Sequence, residues 1–308
     1  MKYIGCILKA VVFAAGLYGL LALSSAVFLP KNNTKEAGME EVQANGILGE
    51  KDNTVDILIL GDSESISSMR PRKLWEKTGY TLYICGSAGQ QLGYTDTMLR
   101  RAFQKQSPKL VLLDAHILYN PQTLDDAAYQ KICEELTVFR YHDRWKSLTS
   151  EDLHLVPDYT RIDGAKGYHT SFSIQSADGR EYMIPTDKAD PIPEINRFCV
   201  WRIKEFCNKN DAELILVSSP SPVNWNMEKH NAVQQLADDL SCEYLDMNLM
   251  TEEIPIDWNR DTRDGGDHLN NYGATKVTSY MSEYFIGTGL LTDHRDDPAY
   301  AEWDDDWS

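Results

Sequence analysis

Short apolar runs that alternate with helix-spaced segments restrict this chain to a narrow set of folds. Residues 55–60 form a near-continuous apolar run, the pattern of a strand buried on both faces. Residues 72–77 read as a helix closed by Gly79, and residues 81–85 as a second strand. A glycine-rich turn leads to a helix from about 94 to 105, which Pro108 stops before a third strand at 110–113. The rhythm resumes with a helix from 194 to about 208, a strand at 214–217, a helix over about 227–240 and a short strand at 243–245. A last helix covers about 272–285. Strand and helix in alternation predict an α/β fold, a doubly wound, flavodoxin-like parallel sheet with helices on both faces. Sites in such sheets lie at the carboxyl ends of the strands.

Residues 116–190 break the alternation. They hold a helical part around 141–145, and then 164–190, rich in Gly, Ser, Thr and Tyr, with room for a small hairpin. This stretch is expected to be a lid-like insertion over the active-site edge. The polar residues 31–53, with Asn32, Asn33 and Gly46, read as a juxtamembrane linker, so the globular domain is expected over 54–290. The tail, 291–308, is acidic and reads as a solvated terminus with Trp303 and Trp307 pinned to the surface.

The first 30 residues differ in kind. Lys2 and Lys9 precede an uncharged run at 10–29, about the length that crosses a bilayer as a helix. The positive-inside rule leaves the amino terminus in the cytoplasm and the rest of the chain outside, a single-pass membrane protein. A cleaved signal peptide is the alternative, with cleavage after Ser24 or Ala26, but the apolar run continues through Val27, Phe28 and Leu29. With 30 Lys and Arg against 47 Asp and Glu, the net charge of −17 argues against nucleic acid as a partner. Of six cysteines, Cys6 falls in the apolar segment, leaving an odd five. Cys199 and Cys207 stand about 12 Å apart along one helix and cannot bridge. The cysteines read as core filler, and neither they nor the histidines show metal-ligand spacing, so no metal or cofactor is expected.

Two motifs carry chemistry. Gly61-Asp62-Ser63 follows the first strand directly, and Asp264-Gly265-Gly266-Asp267-His268-Leu269-Asn270 comes about 200 residues later. A serine hydroxyl is a weak nucleophile until an imidazole takes its proton, and the imidazole needs an acid to orient it. Ser63, His268 and a carboxylate supply those parts.

These motifs resemble the SGNH/GDSL hydrolase superfamily over roughly residues 54–290. The resemblance implies Ser63 as nucleophile, His268 as base and an oxyanion hole made by the N–H groups of Ser63 and Gly89. It implies an acid three residues before the histidine, where this chain has Gly265. Asp264 fits if the loop has gained a residue, and Asp267 is the alternative acid. The Gly-x-Asn-Asp block expected after the third strand is absent, and Asn120 is the remaining candidate for a third oxyanion donor. The residues after His268, Leu269-Asn270-Asn271-Tyr272-Gly273-Ala274, resemble the membrane-anchored, cell-envelope branch, whose members act in lipoteichoic-acid D-alanylation and exopolysaccharide acylation. That implies a serine esterase or O-acyltransferase acting on envelope glycans, with a membrane acyl-donor protein as a partner. A catalytically silent scaffold of the same fold is the alternative.

Further candidates lie at the same sheet edge. Gln90 follows Gly89 and is a candidate substrate contact, with a turn role as the alternative. Trp225 and His230 follow the fourth strand, where an aromatic face would pack on a sugar ring; a structural Trp under the loop is the other reading. His116 and Asp114 after the third strand read as a buried hydrogen-bonded pair.

Overall fold

The computed structural model describes residues 2–179 and 181–304. A long helix, α1 (Lys2–Phe28), precedes the domain. The sheet strands are β1 (Ile57–Gly61), β2 (Leu82–Gly86), β3 (Leu110–Asp114), β4 (Glu213–Ser218) and β5 (Glu243–Asp246). They run in the order β2-β1-β3-β4-β5, and every pairing is parallel. This is the doubly wound order with its switch between β1 and β3, so a crevice opens at the carboxyl end of β1.

The strands are apolar on both sides because each side has its own helices to cover. Leu58, Leu60, Tyr83, Cys85, Val111 and Leu113 join one core, with α4 (Leu92–Ala102), α7 (Glu194–Lys209) and α8 (Met227–Leu240). Ile57, Ile59, Leu82, Ile84, Leu110 and Leu112 join the other, with α2 (Ser65–Ser68), α3 (Pro71–Thr78) and α9 (Asn271–Thr288). Alternate residues thus serve opposite cores, as the period of two requires. Gly79 closes α3 at φ 70°, where its N–H reaches the Trp75 carbonyl.

Two expectations are corrected. Residues 31–53 are not a free linker. Asn33, Asn45, Ile47 and Leu48 are buried, and Asn33 Nδ2 donates to the carbonyls of Asn45 and Arg161. The polar side chains there satisfy buried backbone, which is why composition alone misleads. Glu50 completes the packing, its carboxylate held by Lys166 Nζ at 2.9 and 2.7 Å. The tail is mostly exposed and is pinned by Trp303, buried against Trp75, and by His294, which bonds Asp56. Trp307 lies outside the described residues.

The second correction concerns the insertion. Its first part forms α5 (Leu124–Glu135) and α6 (Val138–Tyr141), with short 3-10 turns at His142–Lys146 and Ser150–Leu153. Among the described residues, 164–190 contains no strand, so the expected hairpin is absent. The extended chain instead runs beside the His268 loop, to which it is tied by Gly265 N–H on the Gln175 carbonyl and Asn271 N–H on the Ser171 carbonyl. Among the described residues all six cysteines are unpaired, four of them buried.

Candidate active site

Ser63 stands two residues beyond β1, at the start of the turn into α2. The turn is shaped by Asp62, whose Oδ1 accepts the Glu64 N–H at 3.1 Å and whose backbone carbonyl accepts the Ser65 hydroxyl. Gly61 has to be glycine, since a Cβ there would meet Asp114 Cβ at 2.6 Å and Ser65 Cβ at 2.7 Å. Among the described residues the Ser63 side chain has no hydrogen-bond partner, while its carbonyl accepts from Ser67 Oγ.

His268 lies on a loop closed by the Thr262–Leu269 bridge. Inside it, Thr262 Oγ1 donates to the His268 carbonyl at 3.0 Å and accepts the Gly266 N–H at 2.7 Å. Gly265 and Gly266 have φ of 78° and 96°, which lets the loop hold one residue more than an Asp-x-x-His turn. Asp264 consequently reaches back over the histidine. Its Oδ1 accepts the His268 backbone N–H and its Oδ2 faces ring Nδ1, both at 2.7 Å. Burial works against the Asp264 carboxylate, but these bonds and the Arg263 charge hold it below the ordinary range.

Asp267 is placed differently. Its Oδ2 is 3.6 Å from Nδ1, beyond hydrogen-bond distance, and its Oδ1 accepts from Asn224 Nδ2. Asn224 Nδ2 also donates to Glu64 Oε1 at 2.6 Å, so one amide ties the residue after Ser63 to the residue before His268. Glu64 was missed by sequence reasoning; a charged residue directly behind a buried strand and its serine was the available signal. It is buried, and burial together with Asp114, Asp62 and Asp267 pushes its carboxyl well above the usual range. Glu64, Asp267 and His268 bring ligand atoms within 4.8 Å of one another. Ring Nδ1 is committed to Asp264, which leaves His268 only Nε2 to offer to that group.

Gly89 sits exposed in the turn after β2 at φ 65°. Neither its N–H nor that of Ser63 donates to another described backbone carbonyl. Asn120 is not a third oxyanion donor. Its two amide hydrogens are engaged by Asp62 Oδ2 at 2.7 Å and the Gln90 carbonyl at 2.9 Å. His116 Nδ1 meets the same Asp62 oxygen at 2.9 Å, and the His116 N–H bonds Asp114 Oδ1. Burial and the Asp62 charge raise the Asp114 carboxyl to about 7.

Two other candidates are corrected. The Gln90 side chain is buried and committed to Ser87 Oγ and Thr95 Oγ1, so it shapes the turn and has no free group for a substrate. Trp225 is only 4% exposed, donates to Asp246 Oδ2 and packs edge-on against Tyr119, so it offers no face to a sugar. His230 Nδ1 contacts the same Asp246 oxygen at 2.7 Å, which leaves only Nε2 for other partners.

No family model and no curated protein matches this chain. Solved structures similar to it include a lipase/acylhydrolase from Enterococcus faecalis, 10% identical, covering 76% of this chain and 96% of that one, with a TM-score of 0.40. A psychrotrophic esterase from Pseudoalteromonas sp. is 12% identical over 76% of this chain and 98% of its own, with a TM-score of 0.39. A GDSL-like lipase from Bacteroides thetaiotaomicron is 13% identical over 76% and 88%, with a TM-score of 0.36. The likeness is loose, and the chemistry is read from the side chains of this chain.

Proposed function

We propose that this protein is a serine esterase or O-acyltransferase of the SGNH/GDSL type, acting outside the membrane on acyl esters of cell-envelope glycans. The observation that carries the reading is the double grip of Asp264 on His268, in a loop joined through Asn224 to the turn that presents Ser63. Asp264 fixes the proton on Nδ1 and so leaves Nε2 as the base. Ser63 Oγ attacks the ester carbonyl as its proton passes to Nε2, and the carbonyl electron pair moves to an oxyanion held by the Ser63 and Gly89 N–H groups. Collapse expels the alkoxide, which takes the proton from Nε2, and leaves an acyl-Ser63. Water or a sugar hydroxyl then repeats the cycle and decides between hydrolysis and transfer.

The outward location rests on α1, whose residues 3–28 are long and apolar enough to span a membrane. A membrane acyl-donor protein is the partner such a site would need for transfer. A silent scaffold is the second reading, favoured by the engaged amide of Asn120, which leaves an oxyanion hole of two backbone donors. A fluorophosphonate probe separates the two. Labelling of the full chain that vanishes in Ser63→Ala supports the enzyme, and no labelling of the wild type sinks it. With a labelled enzyme, acetyl release against transfer to an added glycan distinguishes esterase from transferase.

A further inference from the structure

A run of large exposed apolar side chains lies on, and just after, the elements that touch α1. The α6 helix and the turns at His142–Lys146 and Ser150–Leu153 all pack against it. The contact is hydrogen-bonded: Thr137 Oγ1 donates to the Ser25 carbonyl at 3.0 Å, and Ser25 Oγ accepts the Val138 N–H at 3.1 Å. Arg144 Nη1 donates to the Phe28 carbonyl and Lys31 Nζ to the Ala26 carbonyl, so two cations close the end of the helix. Ser25 is three residues, about 5 Å, short of the end of α1. If α1 spans the bilayer, α6 is therefore held at the level of the outer headgroups.

On these elements Trp145 is 63% exposed and Leu153 68%, with Phe139 beside them, and Leu155 and Val156, the latter 81% exposed, follow directly. Exposed apolar side chains are ordinary one by one, but these five are grouped beside the end of α1, where an interface takes aromatic and aliphatic tips into the boundary between headgroups and acyl chains. We propose that the surface over residues 139–156 is a membrane-seating face, inserted in the outer leaflet of the bilayer that α1 crosses. This rests on the reading of α1 as a membrane span. Asp143 and Glu151 stand among the basic residues here, so insertion is apolar and does not need anionic lipid.

The seating has a consequence for the site. A cleft of about 220 Å³ runs from the Gly89 turn to Arg140 on α6. The oxyanion side of the site thus opens towards the membrane, where a membrane-borne acyl donor would arrive.

The test uses the full chain with Cys6→Ala and Cys242→Ala, which removes the two thiols that are not buried, in phosphatidylcholine vesicles. An environment-sensitive fluorophore is placed at Leu153→Cys or Val156→Cys, and at Glu283→Cys on α9 as a control across the sheet. The first two sites should show blue-shifted emission and quenching by lipids carrying a nitroxide high in the acyl chain. The control should show neither, and added phosphatidylglycerol should change nothing. Water-like emission at both sites overturns the seating face while α1 still resists alkaline carbonate extraction. Release by carbonate removes the span and the seating face together. Insertion only with anionic lipid overturns the apolar mode.

Discussion

Asp264→Asn and Asp267→Asn separate the acid from its neighbour, and the structure sets the size of each effect. Asp264 accepts two donors, the backbone N–H of His268 through Oδ1 and the ring through Oδ2, each at 2.7 Å. A carboxamide cannot accept both. With its oxygen on the backbone N–H, its NH2 faces Nδ1, which must then become an acceptor, and the ring proton moves to the face meant for Ser63. With the amide flipped, the NH2 meets the backbone N–H, donor against donor, and the bond is lost. The first arrangement resolves the conflict, because a neutral imidazole can change tautomer and a peptide cannot. Loss of the correct tautomer in a comparable triad costs about 10⁴ in kcat, which is about 5 kcal/mol of transition-state stabilisation. Asp267 is 3.6 Å from Nδ1 with a side chain 43% exposed, so its field is screened and worth at most about 1 kcal/mol, roughly a fivefold change. The assay is kcat/KM on p-nitrophenyl acetate across pH for both variants. Asp267→Asn losing as much as Asp264→Asn, or Asp264→Asn losing less than about tenfold, would falsify the assignment.

Gly266→Ala should lower both activity and the thermal midpoint, since φ is 96° and the new Cβ would stand 2.8 Å from Pro222 Cγ and 2.9 Å from Ala177 Cβ; unchanged kinetics would show that the loop tolerates the shift. Asp114→Asn should flatten the dependence of stability on pH. The native carboxyl, raised to about 7, keeps a proton that the unfolded chain has released above about pH 4. Wild-type stability therefore falls as pH rises through that window, and denaturant midpoints that decline equally in the variant would refute the burial of an acid there. Lys166→Met should destabilise the fold by about 3–5 kcal/mol, because it strands Glu50 in the interior without its partner; Glu50 is already raised to about 7 by burial, with Lys166 pulling it back. A shift in urea midpoint equivalent to less than about 1 kcal/mol would show that water reaches the pair.

The sheet was legible because its signal is local. Each strand is a short apolar run that needs no partner to be recognised, and α8 runs over the same residues, Met227–Leu240, that its pattern indicates. The packed segment at 31–53 was not legible, since Asn33 looks like a solvated residue until Arg161 arrives from 128 positions away to accept its proton. Trp225 and Asn120 failed for the same reason. An aromatic after β4 reads alike whether it faces a sugar or Asp246, and a free amide reads like one shared between Asp62 and Gln90. What decides these residues is which long-range partner comes within about 3 Å, and no spacing rule carries that.

Asp264 shows how a loop can depart from the spacing of a motif and still bring a carboxylate to the histidine. Counting residues back from His268 leads to Gly265, which has no side chain. The loop does not count residues; it closes on the geometry of the clamp. Thr262 ties both ends, two glycines at positive φ take up the additional residue, and the Asp264 carboxylate lands where it grips the backbone and the ring of one histidine. Asp267, next to the histidine in sequence, is drawn aside by Asn224 towards Glu64. Burial pushes the Glu64 carboxyl well above its ordinary range, which disfavours a further negative charge beside the imidazole. The carboxylate on Nδ1 is held low and the carboxyl behind the serine is held high, so two neighbouring acids are shifted in opposite directions around one imidazole.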